Sequence, residues 1–145
     1  MASIMRKMNI ISRSELMYRS EKSSVGLHGL YHSYVLAICY NPGKSQDWLS
    51  KHMAINKSSV ARHLANMEKD GYIERKASTV DRRELLVFPT EKMLEVRDEV
   101  MQITSQWNKL LAEGITEEEL RVFHEILDKM LTASQEILYG GGDEK

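Results

Sequence analysis

Lys57, Ser58, Ser59, Arg62, His63 and Asn66 lie within one ten-residue stretch, and their side chains are the types that read base edges and hold phosphates. Arginine offers paired donors to guanine O6 and N7, asparagine pairs with adenine, and serine or lysine holds phosphate oxygens or base atoms. A second basic group follows at Arg75, Lys76, Arg82 and Arg83, with Asp81 ahead of the last two. A carboxylate is a poor phosphate neighbour, so Asp81 is expected to brace an arginine through a charge-assisted hydrogen bond. No nucleophile, base and orienting group converge, and no phosphate-cradling loop is present, so no enzyme activity is expected. His28 and His32 stand four apart without HExxH or comparable spacing. They read as polar or semi-buried helix histidines, and neither metal nor cofactor is expected.

These groups need a rigid element beneath them. Val60, Leu64 and Met67, at intervals of four and three, supply the inner face of a helix over 57–70 that Asn56 caps. The polar side chains are left on its outer face and flanks. Ser45 is expected to cap a shorter helix over 46–53 with Leu49 and Met53 inward, and Met53-Ala54-Ile55 forms the break. Trp48 has three readings: packing on the wing, lining a ligand cavity, or closing the base of the domain. Gly71 stops the second helix, and Tyr72-Ile73 and Leu85-Leu86-Val87-Phe88 flank a basic, polar tip. Two adjacent helices followed by a hairpin make a winged helix-turn-helix over 41–90, a unit usually used to hold duplex DNA. Its tip can border or enter the minor groove, where negative potential attracts arginine.

The flanking segments must present this unit. Residues 3–19 carry Ile4, Met8, Ile11, Glu15 and Tyr18 at helical intervals, and Ser23, Ser24 and Gly26 interrupt them. A second helix pattern over 27–40 ends at Asn41-Pro42-Gly43. Pro89 breaks the hairpin strand and Thr90 caps a long helix striped by Met93, Val96, Val100, Ile103, Trp107 and Leu110. Thr116 and Glu119 have capping-box spacing at the start of a last helix, and GGGDEK reads as a frayed tail. These helices exceed what a small winged domain covers, so they are expected to form a two-fold interface. The expected architecture is mainly α, six helices with a small β-hairpin wing, and dimeric. Residues 1–40 and 91–145 form the dimerisation region around a DNA-binding 41–90.

Charge supports that division. Residues 51–83 carry eight basic and four acidic groups, whereas residues 91–145 carry six and thirteen, so a formal net charge of -1 hides a locally basic centre. No apolar run reaches the roughly 18 residues of a membrane span, and no apolar stretch follows Arg6 and Lys7 as in an export signal. The cytoplasm is the expected compartment. Cys39 is the single cysteine and sits in YVLAICY, where it reads as a small buried hydrophobe.

The stretch LSKHMAINKSSVARHLANMEKDGYIERKASTVDRRELLVFPT resembles the MarR family of transcription regulators, most tellingly in INKSSVARHLANMEKDGYIER and in Asp81-Arg82-Arg83. The resemblance implies a homodimer with interlocked terminal helices, binding near-palindromic promoter DNA, commonly as a repressor. It places Asn56 to Asn66 on the recognition helix and Arg82 and Arg83 at the wing tip. It also implies, for many members, release when a small aromatic or anionic effector enters the junction of dimer and DNA-binding regions. Tyr31, His32, Tyr34, Trp48 and Trp107 are the candidates for such a junction, with core packing the competing reading of each. Ala54 departs from the family, standing where glycine is common, as do Glu84 after the arginine pair and Trp48 at a usually polar position. A winged-helix module that dimerises and contacts protein in place of DNA is the alternative.

Overall fold

The computed structural model describes residues 2–24 and 27–140. In chain order it holds α1 (Ala2–Lys22), α2 (Gly29–Tyr40), β1 (Lys44–Ser45), α3 (Gln46–Met53), α4 (Lys57–Lys69), β2 (Ile73–Ala77), β3 (Leu85–Pro89), α5 (Glu91–Leu111) and α6 (Glu117–Tyr139). These are the six expected helices. Gly26 and the GGGDEK tail beyond Gly140 lie outside the described residues. The chain divides into two compact units, Met1–Trp107 and Asn108–Lys145.

The first unit is built on the apolar faces that the spacing anticipates. Tyr34, Val35 and Ile38 of α2 pack with Leu49 of α3, Val60, Leu64 and Met67 of α4, Ile73 and Val87 of the sheet, and Met93 and Val100 of α5, all nearly free of solvent. Each fully buried leucine or valine contributes about 1.5–3 kcal/mol by leaving water. Helices α1 and α2 approach closely at Gly29, where an added Cβ would meet the Leu16 carbonyl oxygen at 2.7 Å. Helix α2 starts one residue later than the histidine pair suggests. His28 is its N-cap, its Nδ1 accepting from the Leu30 amide, so the two histidines do not share a helical face.

The hairpin gains a third strand that the sequence pattern does not announce. The antiparallel order is β1-β3-β2, with Lys44 opposite Val87 and Ser45 opposite Leu86. β1 is two residues long, too short for alternation to register. Ser45 is both a strand residue and the N-cap of α3, its hydroxyl accepting from the Trp48 amide at 3.0 Å.

Between α3 and α4 the chain turns at Ala54, whose φ of 52° and ψ of 43° lie in the left-handed region. The turn holds because the Ile55 amide donates to the Ser50 carbonyl and the buried Ser50 hydroxyl donates to the Ile55 carbonyl. Asn56 then caps α4, accepting from the Ser59 amide at 2.8 Å. Thr90 joins wing to α5, its hydroxyl donating to the Gly71 carbonyl at 2.7 Å.

The second unit contains α6, opened by a reciprocal capping box between Thr116 and Glu119. None of the residues of α6 is buried, although Val122, Phe123, Ile126, Leu131 and Leu138 are large and apolar.

Candidate nucleic-acid interface

With Val60, Leu64 and Met67 inward, α4 turns Lys57, Ser58, Arg62 and Asn66 to solvent. Ser59 is half-buried. Among the described residues Arg62 has no ion-pair partner, and Lys57 makes only an open contact with Asp47 at 3.6 Å. The guanidinium and ammonium of this face are therefore available to an external acceptor.

Several residues of the expected contact set have partners inside the protein. His63 is turned towards α2, its Nδ1 2.8 Å from the Tyr34 hydroxyl and its ring edge-on to Tyr31 and Tyr34. Burial, with Arg62 beside it, lowers its pKa, so the imidazole is neutral at neutral pH. Burial and the neighbouring Tyr31 push the Tyr34 phenol up to about 12. Asn56 uses its Oδ1 for the Ser59 amide and the Ser58 hydroxyl. Arg75 differs most from the expectation of a basic residue facing outward. Its Nη1 donates to Gln46 Oε1 at 2.8 Å and its Nη2 to Glu68 Oε1 at 3.0 Å, while its amide donates to Glu68 Oε2 at 3.1 Å. One guanidinium thus ties β2 to the first residue of α3 and the last turn of α4. The hydrogen bond from Arg75 holds the Glu68 carboxyl below its usual range.

The wing tip is ordered by two short side chains. The buried Ser78 hydroxyl accepts from the amides of Val80 at 3.2 Å and Asp81 at 3.4 Å, and Ser78 N–H donates to the Glu84 carbonyl. Asp81 Oδ1 accepts from the Arg83 amide at 3.0 Å and lies 3.4 Å from its Nε. Arg82 is exposed and has no ion-pair partner among the described residues. Lys76 lies over the Phe88 ring at 5.2 Å. Gln46, Glu68 and Ser78 carry this geometry and were not legible as site residues. The one available signal is the opposite charge of Glu68 and Arg75, whose spacing of seven fits no single element.

The five junction candidates fall in different places. Tyr31 borders a surface hollow of about 250 Å³ shared with Leu27, His28, Asp70, Tyr72 and Lys92. Tyr34 belongs to the core and to the His63 contact. Trp48 stacks on His52 of its own helix at 4.5 Å with Lys44 of β1 over its ring, and it packs against the core. Trp107 packs on Tyr18 at 5.3 Å. His32 is wholly buried, and burial, then Arg19, lowers its pKa. Cys39 is half-buried, and burial raises its thiol pKa, as suits a packing role. No group of three or more potential metal ligands occurs among the described residues. None of the described helices is long and apolar enough to cross a membrane.

Comparison with known proteins agrees with this architecture. The profile of the MarR family matches residues 25–84. The chain is 23% identical over 131 residues to the HTH-type transcriptional regulator YybA of Bacillus subtilis, covering 90% of this chain and 87% of the relative. It is 26% identical over 121 residues to the HTH-type transcriptional regulator BilQ of Clostridium symbiosum, covering 83% and 80%. Among solved structures, a MarR family regulator from Listeria monocytogenes, crystallised with a 26mer DNA, superposes with a TM-score of 0.86 at 25% identity, over 97% of this chain and 95% of that one.

Proposed function

We propose that the chain is a member of the MarR family of winged helix-turn-helix transcriptional regulators, whose profile matches residues 25–84, and that it is a sequence-specific duplex DNA-binding repressor. It acts in the cytoplasm as a homodimer on a near-palindromic operator. The observation that carries this reading is the solvent face of α4, where Lys57, Ser58, Arg62 and Asn66 stand opposite a fully buried apolar row. Arg62 and Asn66 read base edges in the major groove, Lys57 and Ser58 hold phosphates, and Arg82 and Arg83 meet the minor groove or its rims. The relative from Listeria supports the same use of the fold, having been crystallised with duplex DNA.

Dimerisation is supported by apolar side chains left uncovered on α1 (Ile4, Ile10, Ile11) and on α6 (Phe123, Ile126, Leu131). A second copy of the chain is the partner that removes them from water, and it sets two recognition helices about 34–36 Å apart, one turn of duplex. The hollow beside Tyr31, with the His28 and Tyr72 rings and the Lys92 ammonium, suits a small aromatic or anionic effector that releases the DNA.

Fluorescence anisotropy with duplex from the protein's own upstream region tests the main reading. Binding should weaken linearly in log–log form as salt rises. Absent or salt-insensitive binding would instead favour a protein-interaction module.

A further inference from the structure

Val80 is 95% exposed, the most exposed of the large hydrophobic residues described, and it stands at the tip of the wing. Single exposed apolar residues are common and by themselves mean little. This one is held in place. Its amide donates to the buried Ser78 hydroxyl, and the turn is closed on both sides by the Ser78–Glu84 and Asp81–Arg83 hydrogen bonds. A β-branched side chain is therefore presented on a fixed tip, separated from Arg82 and Arg83 only by Asp81.

Resting on the DNA-binding reading above, we propose that Val80 is a specificity residue that reads the minor groove by shape. With the arginines drawn to the phosphates or the groove walls, the isopropyl group is the part of the tip aimed at the groove floor. A·T pairs offer a floor without donors, whereas guanine projects a 2-amino group there. Valine has no side-chain acceptor for that amino group. Covering it leaves a desolvated donor unpaired, so the wing favours A·T over G·C at the pairs it spans.

The test uses the full-length protein and upstream duplexes in which the wing-covered pairs, located by footprinting, are exchanged. Diaminopurine·T in place of A·T adds only the minor-groove amino group and should weaken wild-type binding by about fivefold. Inosine·C in place of G·C removes that group and should strengthen binding. Val80→Ala should lose most of this discrimination and Val80→Ile should keep it, whatever their overall affinities. Equal discrimination by wild type and Val80→Ala would overturn the proposal while leaving DNA binding intact. Failure of the wild type to bind any upstream duplex would overturn the underlying reading as well.

Discussion

Replacing Arg75 by methionine separates a brace from a DNA contact. The substitution keeps much of the aliphatic stem and removes two hydrogen bonds, to Glu68 at 3.0 Å and to Gln46 at 2.8 Å. A hydrogen bond to a charged group is worth about 1.5–3 kcal/mol when shielded. The Arg75 and Glu68 side chains are 20% and 40% exposed, so solvent screening puts the Glu68 bond near the bottom of that range. With about 1 kcal/mol for the Gln46 bond, the loss comes to roughly 2.5 kcal/mol, or a fall of roughly 5–10 °C in Tm. The Glu68 carboxyl is held below its ordinary 4.5 in the fold. The stability it contributes is present above that value and lost as pH falls through the lowered one, so the variant should show a flatter acid limb. Paired thermal melts and salt titrations of DNA binding read both roles. Arg75→Met should lower Tm and affinity yet leave the salt slope unchanged, whereas Arg82→Ala should keep Tm and lose about 0.9 of slope per copy. An Arg75→Met protein with wild-type Tm and a reduced slope would refute the bracing argument.

Three further outcomes follow from the same geometry. Ala54→Gly relieves a left-handed alanine and should stabilise the protein by about 0.5–1 kcal/mol in chemical denaturation, part of the relief being offset by glycine's freer unfolded chain. His32 is buried neutral with its pKa lowered, so wild-type stability should decline as pH falls below about 6.5. His32→Leu should make that decline shallower, the remainder coming from His63, whose pKa is also lowered, and an unchanged Tm–pH profile would count against it. On the proposed pairing through the uncovered face of α6, Phe123→Asp should sediment as a smaller species than wild type in analytical ultracentrifugation and bind the upstream duplex more weakly. A variant that sediments as wild type would place the interface elsewhere.

The helices were legible because their apolar rows are long enough to fix a period. Val60, Leu64 and Met67, and Met93, Val96, Val100 and Ile103, each point to a buried stripe and are buried, whereas Trp107 is half-buried and Leu110 exposed. Caps at Ser45, Asn56 and Thr116 follow from hydroxyl and amide chemistry acting over three residues. What escaped the sequence depends on contacts between elements. Nothing in the local spacing directs Arg75 to Gln46, 29 positions earlier, or turns His63 towards Tyr34 in place of the groove. Strand β1 escaped for another reason, since its two residues pair only because β3 offers a free edge beside them. Outward basic residues were therefore readable as a set, and which members are free was not.

The double role of Ser45 has a thermodynamic consequence. Because one residue is both strand partner of Leu86 and cap of α3, the wing and the helix pair are joined there as well as through Arg75. Such a reading head engages its target with little segment ordering left to undergo. Its association should carry a heat-capacity change set by the apolar area removed from water, without the extra negative contribution of a segment that folds on contact. Calorimetry over a temperature range would read that contribution directly.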